Sequence, residues 1–111
     1  MAFDEGLAER LREAFAGMTD VGERRMFGGL ARMWRGHMCV GIVGETLMVR
    51  VGPDAYAAAL ARPHARAMDF TGRPLRGYVY VAPDGFAEDA DLAAWVEAAR
   101  LYVAGVPLKG S

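Results

Sequence analysis

Two adjacent arginines, Arg24 and Arg25, lead into the segment Met26-Phe27-Gly28-Gly29. A guanidinium presents a planar fork of donors that suits phosphate and carboxylate alike, so the pair fits an anion or an acidic partner. The alternative is a pair of edge arginines bridged to Glu23 or to an acidic first helix. Of Met26 and Phe27, alternation buries one and leaves the other facing out, with core packing the simpler role. Gly28 and Gly29 weaken a strand and therefore need a reason: a bulge, a tight bend or the close approach of another backbone. Trp34 closes the same apolar stretch beside Arg35, either as a rim aromatic at a partner surface or as a lid on the core. Arg24, Arg25, Phe27, Gly28, Gly29 and Trp34 form the candidate partner-binding set.

The residues that usually carry covalent or metal chemistry are sparse. His37 and Cys39 alternate on one strand and could pair as imidazolium and thiolate, but no third group orients them for nucleophilic catalysis. A half-buried cysteine beside a surface histidine is the simpler reading, with His64 solvated in a loop. The chain has no Asn and no Gln, and its only Ser is Ser111. A Ser-His-Asp hydrolase is excluded, because a terminal serine cannot be held against a base. Cys39, His37 and His64 lack zinc-site spacing, and no Walker or dinucleotide glycine pattern is present. The expectation is no catalytic, cofactor-binding or metal-binding residue, and hence no enzyme. A single cysteine cannot form an internal disulfide, in keeping with a reducing compartment.

The elements that must position these residues belong to a chain of 111 residues and 12.0 kDa, the size of one domain. Folding would reduce an exposed surface of roughly 17,000 Å² to about 6,000 Å², enough for a core without staples. No apolar run approaches a membrane span, and the acidic start Met1-Ala2-Phe3-Asp4-Glu5 is unlike a signal peptide, so a cytoplasmic address is expected. Charge is segregated along the chain. Residues 1–23 carry a net −4, residues 24–76 a net +6 and residues 77–111 a net −3. The basic middle is either a nucleic-acid footprint or a basic sheet packed beside acidic helices.

Leu7, Leu11, Ala14, Phe15 and Met18 recur at helical spacing, so a first helix runs over Asp4–Ala16, with Asp4 at its cap and Gly17 at its end. Strand-like stretches follow at Arg24–Trp34, His37–Val43 and Thr46–Val51, separated by Arg35-Gly36 and Gly44-Glu45 as two-residue turns. In the second, Met38, Val40 and Ile42 share one face and His37, Cys39, Gly41 and Val43 the other. Pro53 opens a short helix to Ala61. Strands at Ala67–Phe70 and Gly77–Ala82 follow, with Tyr78 and Tyr80 on one face and Val79 and Val81 on the other. The last helix spans Asp89–Ala104. The order α-β-β-β-α-β-β-α describes an α+β fold of two layers: one antiparallel sheet of about five strands with the helices largely on one face. Its core is expected to unite Leu7, Leu11, Phe15, Val40, Leu47, Val49, Leu92, Trp95 and Val96. The single domain covers residues 1–111, with its core over 4–104 and a tail over 105–111.

Arg25-Met26-Phe27-Gly28-Gly29 followed by Gly36-His37-Met38 resembles the signature of the TfoX/Sxy family's N-terminal domain. Leu47-Met48-Val49-Arg50-Val51, Met68-Asp69-Phe70 with Gly72-Arg73-Pro74, and Pro83 with Leu92, Trp95 and Ala98-Ala99 resemble the rest of its pattern, over residues 5–104. The family pattern has Met-Phe where this chain has Met38-Cys39. The resemblance implies the same α+β architecture. It also implies a link to natural competence, in which full-length members act as transcriptional co-regulators through a further C-terminal domain; this chain looks like the N-terminal domain alone. The expected role is a regulatory interaction domain that takes a protein partner at the hairpin around Arg24–Gly29 or along its sheet edge. The alternative is a weak nucleic-acid module using Arg24, Arg25, Arg32, Arg35, Arg73 and Arg76. Self-association as a homodimer stays open, and no membrane partner is expected.

Overall fold

Asp4 starts the first helix as its side chain dictates: Oδ1 accepts from the N–H groups of Gly6 (2.8 Å) and Leu7 (3.3 Å). The computed structural model describes residues 3–26, 28–69, 72 and 74–107. Helix α1 spans Glu5–Ala14 and buries Leu7, Ala8 and Leu11, with Phe15 buried just beyond it. Helix α3 spans Asp89–Ala104, with Leu92, Trp95, Val96, Ala99 and Val103 buried at three- and four-residue intervals. Helix α2 is shorter than expected, Tyr56–Leu60. Pro53 does not open it, because the N–H groups of Val51 and Gly52 are both tied to the Gly77 carbonyl and the chain must first turn through residues 53–55.

The stretch expected as one strand over Arg24–Trp34 is a hairpin. Strand β1 is Val21–Met26 and β2 is Gly29–Trp34, paired antiparallel from Met26↔Gly29 to Val21↔Trp34. Gly28 lies at φ 71° in the turn, a left-handed conformation open to glycine at little cost. Gly29 has a different reason: a Cβ there would stand 1.9 Å from the Ile42 carbonyl oxygen. The sheet therefore has six strands rather than five. The others are β3 (His37–Val43), β4 (Thr46–Arg50), β5 (Ala65–Asp69) and β6 (Pro74–Val81). Strand β5 starts two residues before the expected Ala67, and β6 three before Gly77; Phe27 and Phe70 lie outside the described residues. The lateral order is β1-β2-β3-β4-β6-β5, and every neighbouring pair is antiparallel. Arg35 and Gly36 both adopt positive φ, as a tight two-residue turn between right-twisted strands requires.

Cross-strand pairing assigns the two faces. The row Leu30–Ile42–Leu47–Val81 and the row Arg32–Val40–Val49–Val79 lie on one side. Their apolar members share a single cluster with Leu7, Leu11 and Phe15 beside α1, Ala59 of α2 and the buried stripe of α3. All nine residues expected in the core belong to it. The row Ala31–Gly41–Met48–Tyr80 lies on the other side, outside that cluster. Strand β3 breaks the expected alternation. Arg32 pairs with Val40 but Met33 pairs with Met38, leaving Cys39 as an extra residue in a bulge. Cys39 therefore joins Val40 and Ile42 in the helix-covered core instead of sharing Gly41's face.

Gly29→Ala should lower stability by about 1–3 kcal/mol, because the Ile42 carbonyl cannot give way without shifting β3. Gly28→Ala meets no atom within 4 Å and should cost only the left-handed backbone penalty, about 1 kcal/mol. Thermal or urea melts of the two variants check the order.

Candidate functional site

Strand β1 is an outer edge of the sheet, so its backbone is paired on one side only. Pleating sends its two arginines to opposite faces. Arg25 sits opposite Leu30 on the helix side, its guanidinium 5.5 Å from the centre of the Phe3 ring. Arg24 sits opposite Ala31 and projects from the other face. Both are exposed, and among the described residues neither enters an ion pair. Phe3, Arg12, Glu23, Arg25 and Leu30 line a cleft of about 230 Å³ that reaches Arg24 and Glu5. Gly28 is exposed at the hairpin tip, whereas Gly29 is consumed by the contact with β3. Trp34 stands at the opposite end of the hairpin, opposite Val21 and roughly 10 Å along the strand from Arg24. It is half-buried against the core, and its Nε1–H donates to the Thr19 carbonyl at 3.1 Å. Of the six candidates, Arg24, Arg25 and Gly28 gather at one exposed end, Gly29 and Trp34 serve the fold, and Phe27 lies outside the described residues.

Glu23 is engaged by other arginines than those beside it. Arg12 donates from Nε to Oε1 (2.5 Å) and from Nη2 to Oε2 (3.2 Å), and Arg32 donates from Nη1 to Oε1 (2.7 Å). Arg12 also pairs with Glu9. The Arg12 hydrogen bonds, aided by both positive charges and opposed by partial burial, hold the Glu23 carboxyl below its ordinary range. Arg32 is only 8% exposed, lies 5.3 Å over the Phe15 ring, and its Nε has no partner. Sequence reasoning placed Arg32 among nucleic-acid contacts and missed this role. The signal was its position between Leu30-Ala31 and Met33-Trp34, where alternation puts it on the face of Leu30. Arg35 is occupied too, donating to the Val103 and Ala104 carbonyls (3.2 and 2.9 Å) at the end of α3. Arg76 is exposed, and Arg73 lies outside the described residues. Among the described residues, the arginines of the nucleic-acid reading do not form one patch: Arg32 is buried and Arg35 is held at the end of α3.

Burial pushes the Cys39 thiol up to about 12, against weaker opposing pulls from Arg50 and Arg100. A thiol so placed is protonated at neutral pH and a poor nucleophile. His37 Nε2 lies 2.7 Å from the Pro107 carbonyl oxygen, and His64 is exposed at φ 67°. Among the described residues no group of three His, Cys, Asp or Glu side chains is arranged to hold a metal. The molecule is thus a two-layer α+β domain with two exposed arginines on an edge strand and one arginine–glutamate cluster, Arg12–Glu23–Arg32, beside its core.

The family model of the TfoX N-terminal domain matches residues 13–101. The chain belongs to that family. No curated protein and no solved structure shows significant similarity to it. No helix among the described residues is long and apolar enough to cross a membrane.

Glu23→Gln would strand the buried Arg32 guanidinium and should cost roughly 2–3 kcal/mol at neutral pH. Because the folded state lowers the Glu23 pKa, its contribution is complete above the ordinary carboxylate range and disappears as pH falls through the lowered value. The stability gap between wild type and variant should therefore narrow in acid, as paired urea melts at neutral and acidic pH would reveal. For Cys39, a thiol reagent should label the native protein only on the timescale of unfolding, and Cys39→Ala should cost on the order of 1 kcal/mol. Rapid labelling of the folded protein would contradict its burial.

Proposed function

We propose that the chain is a non-catalytic cytoplasmic regulatory domain that binds a protein partner along the free edge of β1. The observation that carries this reading is an edge strand bearing two exposed arginines on opposite faces, neither in an ion pair among the described residues. An extended segment added to that edge gains main-chain hydrogen bonds along its length. Arg24 and Arg25 would then flank the added strand above and below, each able to hold a carboxylate. The same charges disfavour indiscriminate pairing, since arginines on an edge repel a basic strand and cost a neutral one their solvation. The edge thus selects an acidic extended segment. This agrees with the regulatory role that the TfoX/Sxy resemblance implies, exercised here through contact and not through chemistry.

The decisive experiment pairs a thermal melt with partner capture from the native cytoplasm, using wild type and the Arg24→Ala/Arg25→Ala double variant. Capture should be lost while the melting temperature stays nearly unchanged, because neither arginine holds an ion pair among the described residues. Capture retained by the double variant would remove the β1 edge from this reading.

A further inference from the structure

Only every second residue of β1 bonds to β2. The register runs Gly22↔Met33, Arg24↔Ala31 and Met26↔Gly29, and just beyond the strand the Arg35 N–H donates to the Asp20 carbonyl at 3.0 Å. Antiparallel pairs alternate between bonded and non-bonded, so the bond at Asp20 assigns the even-numbered residues to β2. The main-chain N–H and C=O of Val21, Glu23 and Arg25 therefore point out of the sheet, where among the described residues no further strand meets them. Gly22, Glu23, Arg24 and Arg25 are all exposed along this edge. An added strand thus finds three residues ready to bond, and their spacing fixes which of its side chains meets which arginine.

Every pair in the sheet is antiparallel, and an antiparallel addition continues it with the stronger bonding pattern. Opposite Arg25, the added side chain faces the helix side at the mouth of the cleft beside Phe3 and Leu30. Arg25 has no carboxylate there among the described residues, whereas Arg12 is already bonded to Glu23 and Glu9. The next added residue falls on the other face, opposite Arg24. The one after returns to the helix side opposite Glu23, whose carboxylate is already held by Arg12 and Arg32 and repels a further acid. Beyond it, a Cβ at Gly22 would meet nothing within 4 Å, and Val21 is half-buried against the core. Resting on the edge reading above, we infer that the partner's strand runs antiparallel to β1 and carries two adjacent acidic residues, opposite Arg25 and Arg24. A residue without negative charge follows opposite Glu23, and an apolar one lies opposite Val21. Two acids spaced one residue apart do not fit, because they share a face. One would meet Arg25 and the other Glu23, and Arg24 would stay without a partner.

The test titrates the full ¹⁵N-labelled chain with two capped synthetic peptides of equal composition and charge, Thr-Glu-Glu-Thr-Thr-Val-Thr and Thr-Glu-Thr-Glu-Thr-Val-Thr. Affinities and sites are read from amide chemical shifts. The first peptide should shift the outward amides of Val21, Glu23 and Arg25 more than those of Gly22 and Arg24. A cross-strand ion pair is worth about two- to fivefold in affinity, and an opposed like charge costs a similar factor, so the first peptide should bind roughly fivefold more tightly than the second. Arg24→Glu, at an exposed position, should reverse a preference: a third peptide with lysine in place of the second glutamate should then bind more tightly than the first. Equal affinity of the first two peptides, with shifts still confined to β1, would overturn the adjacent-acid pattern and leave the edge reading standing. Shifts centred away from β1, or no binding of either peptide at millimolar concentration, would overturn both. An Arg24→Glu chain that still prefers the first peptide over the third would overturn the assignment of the second acid to Arg24.

Discussion

Valine and leucine rows on β3, β4 and β6 are buried under α1 and α3, and this one-sided burial constrains everything else in the molecule. With its helices gathered on a single face, the sheet must satisfy its second face by side-chain packing within the sheet itself. It does so with Ala31, Gly41 and Met48, residues that are small or that can lie flat. The constraint also fixes charge. Arginines in the strands either reach out at the sheet edges, like Arg24 and Arg66, or, like Arg32, find a carboxylate on a neighbouring strand. The acidic helices and the basic sheet, visible as net charges along the sequence, become two sides of one domain.

Most of the architecture was legible because burial imposes periodicity. Helix α3 appears at its expected bounds, since Leu92, Trp95, Val96, Ala99 and Val103 can share a face only in a helix. Strand β3 likewise has its expected bounds, set by tight turns at both ends. The glycine pair pointed to a bend or a bulge, but residue types alone did not say that Arg24–Trp34 splits there into two paired strands. Two glycines in sequence look alike, yet one serves a left-handed turn and the other a neighbouring carbonyl. The bulge at Cys39 was invisible for a related reason. It depends on the register of β2 against β3, a long-range quantity that no local pattern records.

The site residues divided along the same line. Arg24 and Arg25 are exposed on opposite faces of the edge strand, whereas the sequence left open whether Glu23 or the first helix would hold them. Arg32 was misassigned because its partner sits on another strand and its cover on a helix. A charge inside an apolar layer is costly unless paired, so Glu23 serves as the counterion of Arg32, and Arg12, bonded to the same carboxylate, ties α1 to the first hairpin. Trp34 is claimed in a similar way by the Thr19 carbonyl, a contact across the loop that precedes β1.

The strand order carries a consequence for how the chain assembles. Strands β1 to β4 are neighbours in sequence and in space, joined by turns of about two residues, so their contacts close short loops and can form early. The helix that covers the centre of this meander, α3, is the last element in the chain. During synthesis the apolar rows of β3 and β4 therefore stand without their α3 cover until residues 89–104 have emerged. Strand β6, which seals the free side of β4, arrives only shortly before. The nascent domain is a half-built sheet whose apolar face has only α1 to cover it until α3 docks.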